Sequence, residues 1–258
     1  MDQQVTRQVT VVIGAASGIG RATATTLAAS GHTVVAVDRD REAVDEAAGA
    51  LDVMSQVADV TDEASVAAMF DAVVQRFGAP TGVVNCAGVS TLAPLVEHDV
   101  AEFRRVVDVC LSGAMVVLKH AGRSVEDGAS LVNVASLNAR RPGTGMAAYC
   151  AAKAGLLMLT QVAALELAPR RIRVNAVSPG LVVTPLTAPA MDLPGIPEAY
   201  LENTPLGRNG TPGEVAATIR FLLSGDSAWI TGEDIQLDGG SHLMRYPDLH
   251  GLVMAALA

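Results

Sequence analysis

Short runs of β-branched and other apolar residues alternate along the chain with longer stretches in which apolar residues recur at helical spacing. The runs are VTVVI (9–13), TVVAV (33–37), MSQV (54–57), GVVN (82–85), SLVNV (130–134), RVNAV (173–177) and DIQL (234–237). Several of them are apolar on both faces, which is typical of strands that helices cover on both sides. The pattern therefore predicts a sheet of about seven strands.

The stretches between these runs predict five helices. They lie at 18–30, about 41–50, 62–77, about 99–124 and 147–168. Because strands and helices alternate, we expect a doubly wound α/β fold with a parallel sheet and right-handed crossovers. No linker-like stretch divides the 258 residues, which favours one domain over 1–258.

The alternation is interrupted at 181–211, a segment rich in Pro, Gly and Thr. It nevertheless carries apolar side chains such as Leu186, Met191 and Tyr200. A merely solvated loop does not need so many of them, so we expect a lid over a substrate. A plain surface excursion is the alternative.

Composition and charge exclude several classes of protein. The net charge of −9 comes without a basic block, which disfavours a nucleic-acid partner. No apolar run is expected to reach the ~18 residues of a membrane span, and the start MDQQVTRQ lacks the apolar region of a secretion signal. Three scattered cysteines and five scattered histidines show no metal-ligand spacing, so we expect reduced thiols, no metal and a cytoplasmic protein.

A glycine-rich stretch, IGAASGIG at 13–20, lies directly between the first predicted strand and the first predicted helix. Glycines at 14, 18 and 20 let the backbone turn sharply and approach a pyrophosphate, while the helix presents unpaired N–H groups. A tight strand-to-helix turn without a ligand is the alternative reading. The position between strand and helix favours dinucleotide binding.

Asp38 ends the second predicted strand, 24 positions past Gly14. Its carboxylate can accept hydrogen bonds from both ribose hydroxyls of NAD and would repel a 2′-phosphate. Arg39 points the other way, since a guanidinium there can hold a phosphate, but Ser17 supplies no second cation inside the glycine turn. We therefore expect NAD rather than NADP.

The sequence YCAAK (149–153) opens the helix predicted at 147–168 and places the Tyr149 phenol and the Lys153 ammonium on one face. A tyrosine titrates near ~10, so as an acid–base at neutral pH it needs a nearby positive charge. Lys153 and an oxidised nicotinamide would supply that charge, although such a pair also occurs on ordinary helix surfaces. Ser136, 13 residues earlier at the end of a strand, can orient a substrate oxygen or cap a turn.

At this point the chain resembles the short-chain dehydrogenase/reductase family, which has a Rossmann-type fold. The motifs that carry the resemblance are IGAASGIG, NCAG (85–88), NVAS (133–136), YCAAK, SPG (178–180) and ITGEDIQLDGG (230–240). They cover nearly the whole chain in the right order. They are specific for the family and much less so for any one substrate.

The resemblance implies roles for individual residues. The pyrophosphate would lie against Gly14, Gly18, Ile19 and Gly20, and the adenosine against Asp38, Asp59 and Val60. The nucleotide floor would be formed by Asn85, Ala87 and Gly88, and the nicotinamide end by Pro179, Gly180, Val182 and Thr184. The catalytic set would be Ser136, Tyr149 and Lys153, with Lys153 also holding the nicotinamide ribose. The usual arrangement of the family is a homotetramer.

Cys110 departs from the family pattern. It stands in VVDVCLSG (106–113), where the family carries an asparagine that helps hold a water between the active-site lysine and the proton-exit path. A buried free thiol is usually a small apolar filler, and no histidine in the local helix would activate it. We therefore expect a reduced or rerouted proton relay rather than thiol chemistry.

The function that these features favour is an NAD-dependent oxidoreductase that interconverts a secondary alcohol and a ketone, with a cyclic or otherwise apolar substrate. A 3-oxoacyl-thioester reductase that uses NADPH is the alternative, although Asp38 and the acidic charge count against it. Arg140 and Arg141 can attract an anionic group or stay solvated. A nucleotide-binding protein without catalysis is less favoured, since the catalytic set is complete. The Ala-rich helices and the tail at 251–258 favour self-association.

Overall fold

The computed structural model describes residues 8–51 and 53–257. Most of the amino-terminal stretch used above to argue against a secretion signal lies outside these residues. The strands are β1 (Val9–Ile13), β2 (Thr33–Asp38), β3 (Met54–Val57), β4 (Gly82–Asn85), β5 (Ser130–Val134), β6 (Arg173–Pro179) and β7 (Asp234–Leu237). They form one sheet in the order β3-β2-β1-β4-β5-β6-β7, and all the paired strands are parallel. The predicted doubly wound fold is confirmed.

Helices cover both faces of the sheet. They are α1 (Gly18–Ala29), α2 (Arg41–Leu51), α3 (Glu63–Phe77), α4 (Val100–Val107), α5 (Gly113–Ser124), α6 (Ala147–Leu167), α7 (Ala188–Met191), α8 (Ile196–Glu202), α9 (Pro212–Leu223) and α10 (Leu249–Leu257). Helices α1, α2 and α9 pack on one face of the sheet, and α3, α5 and α6 pack on the other.

The strands β1, β2, β4, β5 and β6 are buried along nearly their whole length, as their composition predicts, whereas the edge strands β3 and β7 are half-buried. In β1, Val11 and Ile13 pack toward α3 and α5, while Val12 packs toward α1 and α9. Alternate strand residues point to opposite faces, so an apolar residue at every position fills two cores. Helix residues fill the same cores. Full burial of one leucine side chain, for example that of Leu27 in α1, stabilises the fold by ~1.5–3 kcal/mol relative to its exposure.

The helix predicted at about 99–124 is not regular throughout. A π turn at Asp108–Ser112 separates α4 from α5, and Cys110 lies within it. Directly after the turn, α5 passes so close to Val60 that a Cβ on Gly113 would lie 2.7 Å from its Cγ2 atom. Hydrophobic spacing does not reveal this change of winding, because the apolar residues on both sides still face the core.

Helix α9 is absent from the pattern prediction, although the sequence carries a start signal for it. Thr211 caps the helix, its hydroxyl accepting a hydrogen bond from the Glu214 N–H, while Glu214 bonds back to the Thr211 N–H. Pro212 occupies the first turn, where its missing N–H has no cost. Such a capping box is recognisable in TPGE at 211–214.

Helix α6 is long and apolar, and by length and composition alone the segment Ala147–Arg170 would be able to cross a membrane. The same helix packs against β6 and the π turn, and Ala152 and Leu156 on its inner face are buried. These contacts identify it as a helix laid along the sheet of a globular fold.

Candidate active site

The carboxyl ends of six neighbouring strands open into one cavity of about 320 Å³. It lies over the point where the sheet order reverses between β1 and β4, which is where open α/β sheets bind ligands. All the residues assigned above to catalysis or to cofactor contact line this cavity, with the exception of Asn85. The structure thus brings together residues that are spread from 14 to 184 in the sequence.

The glycine turn fits a phosphate-bearing ligand because it lines the cavity with residues whose backbone no large side chain covers, Gly14, Ser17, Gly18 and Gly20. Gly14 has a φ of +78°, and a Cβ there would lie 3.0 Å from the backbone of Cys86 and Ala87. A Cβ on Gly20 would lie 2.0 Å from the Gly14 carbonyl oxygen, so the turn can close only with glycine there. Helix α1 begins at Gly18, and its first residues, whose N–H groups have no partner within a helix, line the cavity.

The Asp38 carboxylate is fixed at the end of β2. Its oxygens accept hydrogen bonds from the backbone N–H of Ala16 (3.1 Å) and of Asp40 (3.3 Å). Nearby, the Asp59 side chain bonds Thr61, and these hydrogen bonds, with a smaller contribution from the Arg39 charge, lower the pKa of Asp59. This end of the cavity is therefore lined by two carboxylates, those of Asp38 and Asp59, and by one guanidinium, that of Arg39.

Asn85 supports the cavity without lining it. Its side chain is buried, and its Oδ1 atom accepts a hydrogen bond from the Ala87 N–H at 3.2 Å. The turn that follows β4 is held in this way, and Ala87 and Gly88 then form part of the cavity wall. The floor residues of the sequence analysis thus divide into two that face the cavity and one that fixes their backbone.

Ser136, Tyr149 and Lys153 line the same cavity. Ser136 follows β5, and its Oγ accepts a hydrogen bond from the Asn138 N–H at 3.1 Å. Lys153, one turn after Tyr149 in α6, is buried and donates to the Val134 carbonyl at 2.7 Å. Its Nζ atom lies 5.7 Å from the centroid of the Tyr149 ring.

Burial sets the protonation of this group. Desolvation raises the pKa of the Tyr149 phenol above its ordinary value, and the neighbouring Ser136 hydroxyl lowers it by a smaller amount. Desolvation also lowers the pKa of Lys153. The phenol therefore stays protonated at neutral pH until a further positive charge is added beside it. A bound oxidised nicotinamide would add such a charge.

Cys110 lies behind the cavity wall rather than in it. The thiol is 1% exposed, and Sγ both accepts from the Val89 N–H (3.4 Å) and donates to the Val89 carbonyl (3.3 Å). Its neighbours in the packed cluster are Val106, Ala148 and Ala152. The thiol therefore holds the backbone after the NCAG turn, as a donor and acceptor of hydrogen bonds, close to Lys153.

A second cavity, of about 290 Å³, adjoins the first. The two share Ser136, Tyr149, Pro179, Gly180, Leu186 and Thr187. The remaining walls of the second cavity come from segments at 90–92, 137–146, 181–203 and 241–249. Its lining is mainly apolar with a few hydroxyl and amide groups, which is typical of a small-molecule site.

The segment 181–211 supplies much of this wall. Leu186, Met191 and Tyr200 line the second cavity, whereas Ile196 is buried beneath it and Leu206 is exposed. The segment contains α7 and α8, so it is not a structureless loop. Its apolar side chains are thus divided between the cavity, the core and the surface.

The carboxyl-terminal segment also lines the second cavity, which the sequence analysis does not anticipate. The Tyr246 hydroxyl donates to Asn138 Oδ1 at 3.1 Å, and Asn138 in turn contacts Ser136. Desolvation raises the pKa of Tyr246. No local motif marks Tyr246 or Asn138, because their roles depend on contacts over 108 positions of sequence.

Two further hydrogen bonds join the carboxyl-terminal segment to 181–211. The hydroxyls of Tyr200 and Tyr246 lie 3.2 Å apart, with their rings edge to face. The hydroxyls of Thr204 and Ser241 lie 3.0 Å apart. The two segments therefore form one side of the second cavity together.

Arg140 and Arg141 face neither cavity. Arg140 forms an ion pair with Asp234, and Arg141 donates to the His242 carbonyl. Their charges are thus engaged within the chain. Among the described residues, no group of three or more His, Cys, Asp or Glu side chains has the spacing of a metal site.

Known proteins share this arrangement along nearly the whole chain. A family model described as enoyl-(acyl carrier protein) reductase matches residues 14–242. The cis-4-hydroxycyclohexanecarboxylate dehydrogenase of Sinomonas cyclohexanicum is 41% identical over 249 residues, covering 93% of this chain and 98% of that protein. The 3-oxoacyl-[acyl-carrier-protein] reductase of Thermotoga maritima is 38% identical over 240 residues, covering 90% of this chain and 97% of that protein. A short-chain type dehydrogenase/reductase from Mycobacterium ulcerans has a solved structure that matches with a TM-score of 0.93 and 34% identity, covering 96% of this chain and 94% of that one.

Proposed function

The chain belongs to the short-chain dehydrogenase/reductase family, and from that premise we propose that it interconverts small, cyclic or otherwise apolar secondary alcohols and their ketones with NAD. It is an oxidoreductase that uses a nicotinamide dinucleotide, as the family does. The choice of NAD and the substrate class are the parts we propose.

The meeting of the two cavities at Ser136 and Tyr149 carries this proposal. The first cavity has the glycine turn and the acidic adenosine end of a dinucleotide site. The second is small and mainly apolar, at the low end of the ~300–1,000 Å³ of ligand pockets. A substrate there would have its reacting oxygen beside the phenol and its carbon skeleton against Leu137, Met146 and Leu186. The relative from Sinomonas, by its name, acts on a hydroxyl of a six-membered ring, which supports a cyclic skeleton.

In the oxidation direction the chain's own residues position and deprotonate the alcohol. The Ser136 hydroxyl holds the substrate oxygen, and Asn138 holds Ser136 in place. The Tyr149 phenolate accepts the hydroxyl proton. Lys153 stabilises that phenolate from the same helix and would hold the nicotinamide ribose. An oxidised nicotinamide held in the first cavity would supply the acceptor for the hydride of the carbinol carbon.

The acidic adenosine end supports NAD over NADP. The Asp38 carboxylate is fixed by two backbone N–H groups, so it cannot turn away from a 2′-phosphate without losing them. The Arg39 charge is the smallest of the causes that act on the pKa of Asp59, so Arg39 remains the group that would favour a 2′-phosphate. Against it stand the fixed Asp38 carboxylate and Ser17, which supplies no second cation inside the glycine turn.

A 3-oxoacyl-thioester reductase that uses NADPH is the second candidate. It is favoured by the identity to the Thermotoga reductase and by the description of the matching family model. The fixed Asp38 carboxylate and the net charge of −9, which would repel an acidic carrier protein, count against it.

A panel of secondary alcohols tests both candidates. Cyclohexanols and linear alcohols are offered with NAD or NADP, and a 3-oxoacyl thioester is offered with NADH or NADPH, while absorbance of the reduced nucleotide is followed. We expect turnover of cyclic alcohols with at least ~10-fold preference for NAD, which corresponds to about 1.4 kcal/mol. The proposal is wrong if every alcohol is inert while NAD binds, or if only the thioester reacts and with NADPH.

We also propose that the enzyme is a cytoplasmic homotetramer. The outer faces of α5 and α6 expose Met115, Met158 and Leu165, the last at 78%. Apolar side chains that cluster on neighbouring helices are typical of an interface between subunits. The free state of Cys86, Cys110 and Cys150 suits a reducing compartment. Sedimentation of the wild type and of Leu165→Glu tests the interface, because the charge should dissociate the assembly.

A further inference from the structure

Among the described residues that line the second cavity, a single one is charged, Arg245. The other lining residues are apolar, hydroxyl-bearing or amide-bearing, and no Asp or Glu is among them. We propose that this cavity binds secondary alcohols and ketones that also carry a carboxylate, and that Arg245 binds this carboxylate. The inference rests on the proposed function, because it takes the reacting hydroxyl to lie at Ser136 and Tyr149.

Arg245 lines only the second cavity. The reacting end is marked by the six residues that the two cavities share, and Arg245 is not one of them. A substrate that fills the cavity would thus present its reacting carbon to Tyr149 and its remote end to the guanidinium. The distance between hydroxyl and carboxylate would be that across a ring or a short chain.

The charge of Arg245 has no counterion within the described part of the chain. Five other arginines form ion pairs with carboxylates, namely Arg41, Arg105, Arg140, Arg170 and Arg208. Asp248, the nearest acidic residue in sequence, accepts a hydrogen bond from the Gly251 N–H instead, at 3.2 Å. The guanidinium is therefore available to an anion from outside the chain.

The backbone on the carboxyl side of Arg245 is held in place. Tyr246 bonds Asn138 and Tyr200, and Pro247 is buried. An arginine that precedes such a fixed stretch loses less entropy on binding than one on a free tail. A guanidinium can bond both oxygens of a carboxylate, so it selects that group over a neutral amide of the same shape.

Local charge is needed here because the chain as a whole repels anions. With a net charge of −9, the surface would disfavour a carboxylate that had no cation to meet it. In the second cavity no carboxylate of the chain competes with the substrate for Arg245. The cavity therefore combines apolar contact for a ring with one cation for an acid group.

A matched pair of substrates tests the inference. A cyclohexanol that carries a carboxylate is compared with the corresponding carboxamide, for the wild type, Arg245→Gln and Arg123→Gln. Arg123 lies exposed in the last turn of α5 and lines neither cavity, so its variant controls for loss of one positive charge. We expect the ratio of kcat/KM for carboxylate over carboxamide to fall ~10-fold in Arg245→Gln and to stay unchanged in Arg123→Gln.

A binding measurement separates this inference from the proposed function. Cyclohexanecarboxylate, which has no hydroxyl, is titrated into the protein loaded with NADH, and the nucleotide fluorescence is followed. We expect Arg245→Gln to weaken this binding ~10-fold and Arg245→Glu to weaken it further. If neither alcohol is oxidised but this dependence is found, the proposed function fails and the carboxylate site stands. If the wild type does not distinguish carboxylate from carboxamide in turnover or binding, Arg245 is a solvated arginine and the inference is wrong.

Discussion

The first cavity, which we assign to the nucleotide, and the second cavity meet at Tyr149 but are built in different ways. The first is made of strand ends and the turns directly after them, with backbone groups and glycines facing the ligand. The second is made of side chains from four separate segments, including helices α7 and α8 and the carboxyl-terminal segment. The first therefore fixes a reaction that many relatives share, and the second can change its substrate without disturbing the sheet.

The largest expected effect comes from removing the group on which both cavities converge. Tyr149→Phe deletes the hydroxyl that we propose as the acid–base, so we expect kcat to fall ~10³-fold. NADH affinity should stay within about 3-fold, because the phenol hydroxyl makes only part of the nucleotide wall. Steady-state kinetics and fluorescence titration measure the two quantities. A variant that kept a tenth of the turnover would remove Tyr149 from the chemistry.

A change in the glycine turn should weaken nucleotide binding in addition to lowering stability. Gly14 has an unfavourable φ of +78°, and the new Cβ of Gly14→Ala would lie 3.0 Å from the backbone of Cys86 and Ala87. Gly31→Ala is the control, because Gly31 has a similar φ of +85° but a Cβ there would have nothing within 4 Å. Both variants should lose about 1–3 kcal/mol of stability from backbone strain. Only Gly14→Ala should also weaken NADH binding, by ~10-fold or more. Equal NADH affinities in the two variants would show that the close packing behind the turn is unimportant.

A smaller effect is expected from the hydrogen bonds that connect Tyr246 to Ser136 through Asn138. Tyr246→Phe removes the hydroxyl that donates to Asn138, so Ser136 is held less firmly. We expect kcat to fall ~3- to 10-fold, equivalent to one net hydrogen bond, with unchanged NADH affinity. A purely structural role would instead lower the thermal midpoint and affect kcat and NADH affinity together.

The smallest effect is expected at Cys110. Because its thiol serves Val89 as a hydrogen-bond partner and filler, Cys110→Asn should preserve or raise turnover, and Cys110→Ala should keep turnover within about 3-fold while losing about 1–2 kcal/mol of stability. Kinetics and thermal unfolding check both variants. Abolished turnover in Cys110→Ala would restore a chemical role for the thiol.

The difference between the cavities also explains what could be predicted from the sequence. The strands and the glycine turn follow from local spacing and from the backbone needs of a few residues, so VTVVI, IGAASGIG and YCAAK indicate them directly. Helix α9 could have been predicted as well, since TPGE is a capping signal. The π turn at Asp108–Ser112 and the wall formed by Tyr246 could not, because both depend on packing between segments that are distant in sequence.

The hydrogen bonds that join Tyr200 to Tyr246 and Thr204 to Ser241 also bear on how such enzymes diverge. A chimaera that takes 181–211 from one relative and the carboxyl-terminal segment from another separates these hydrogen-bond partners. The buried hydroxyl groups then lack their donors and acceptors unless further substitutions supply them. We therefore expect chimaeras that exchange either segment singly to be mostly inactive, and chimaeras that exchange both segments together to keep more activity.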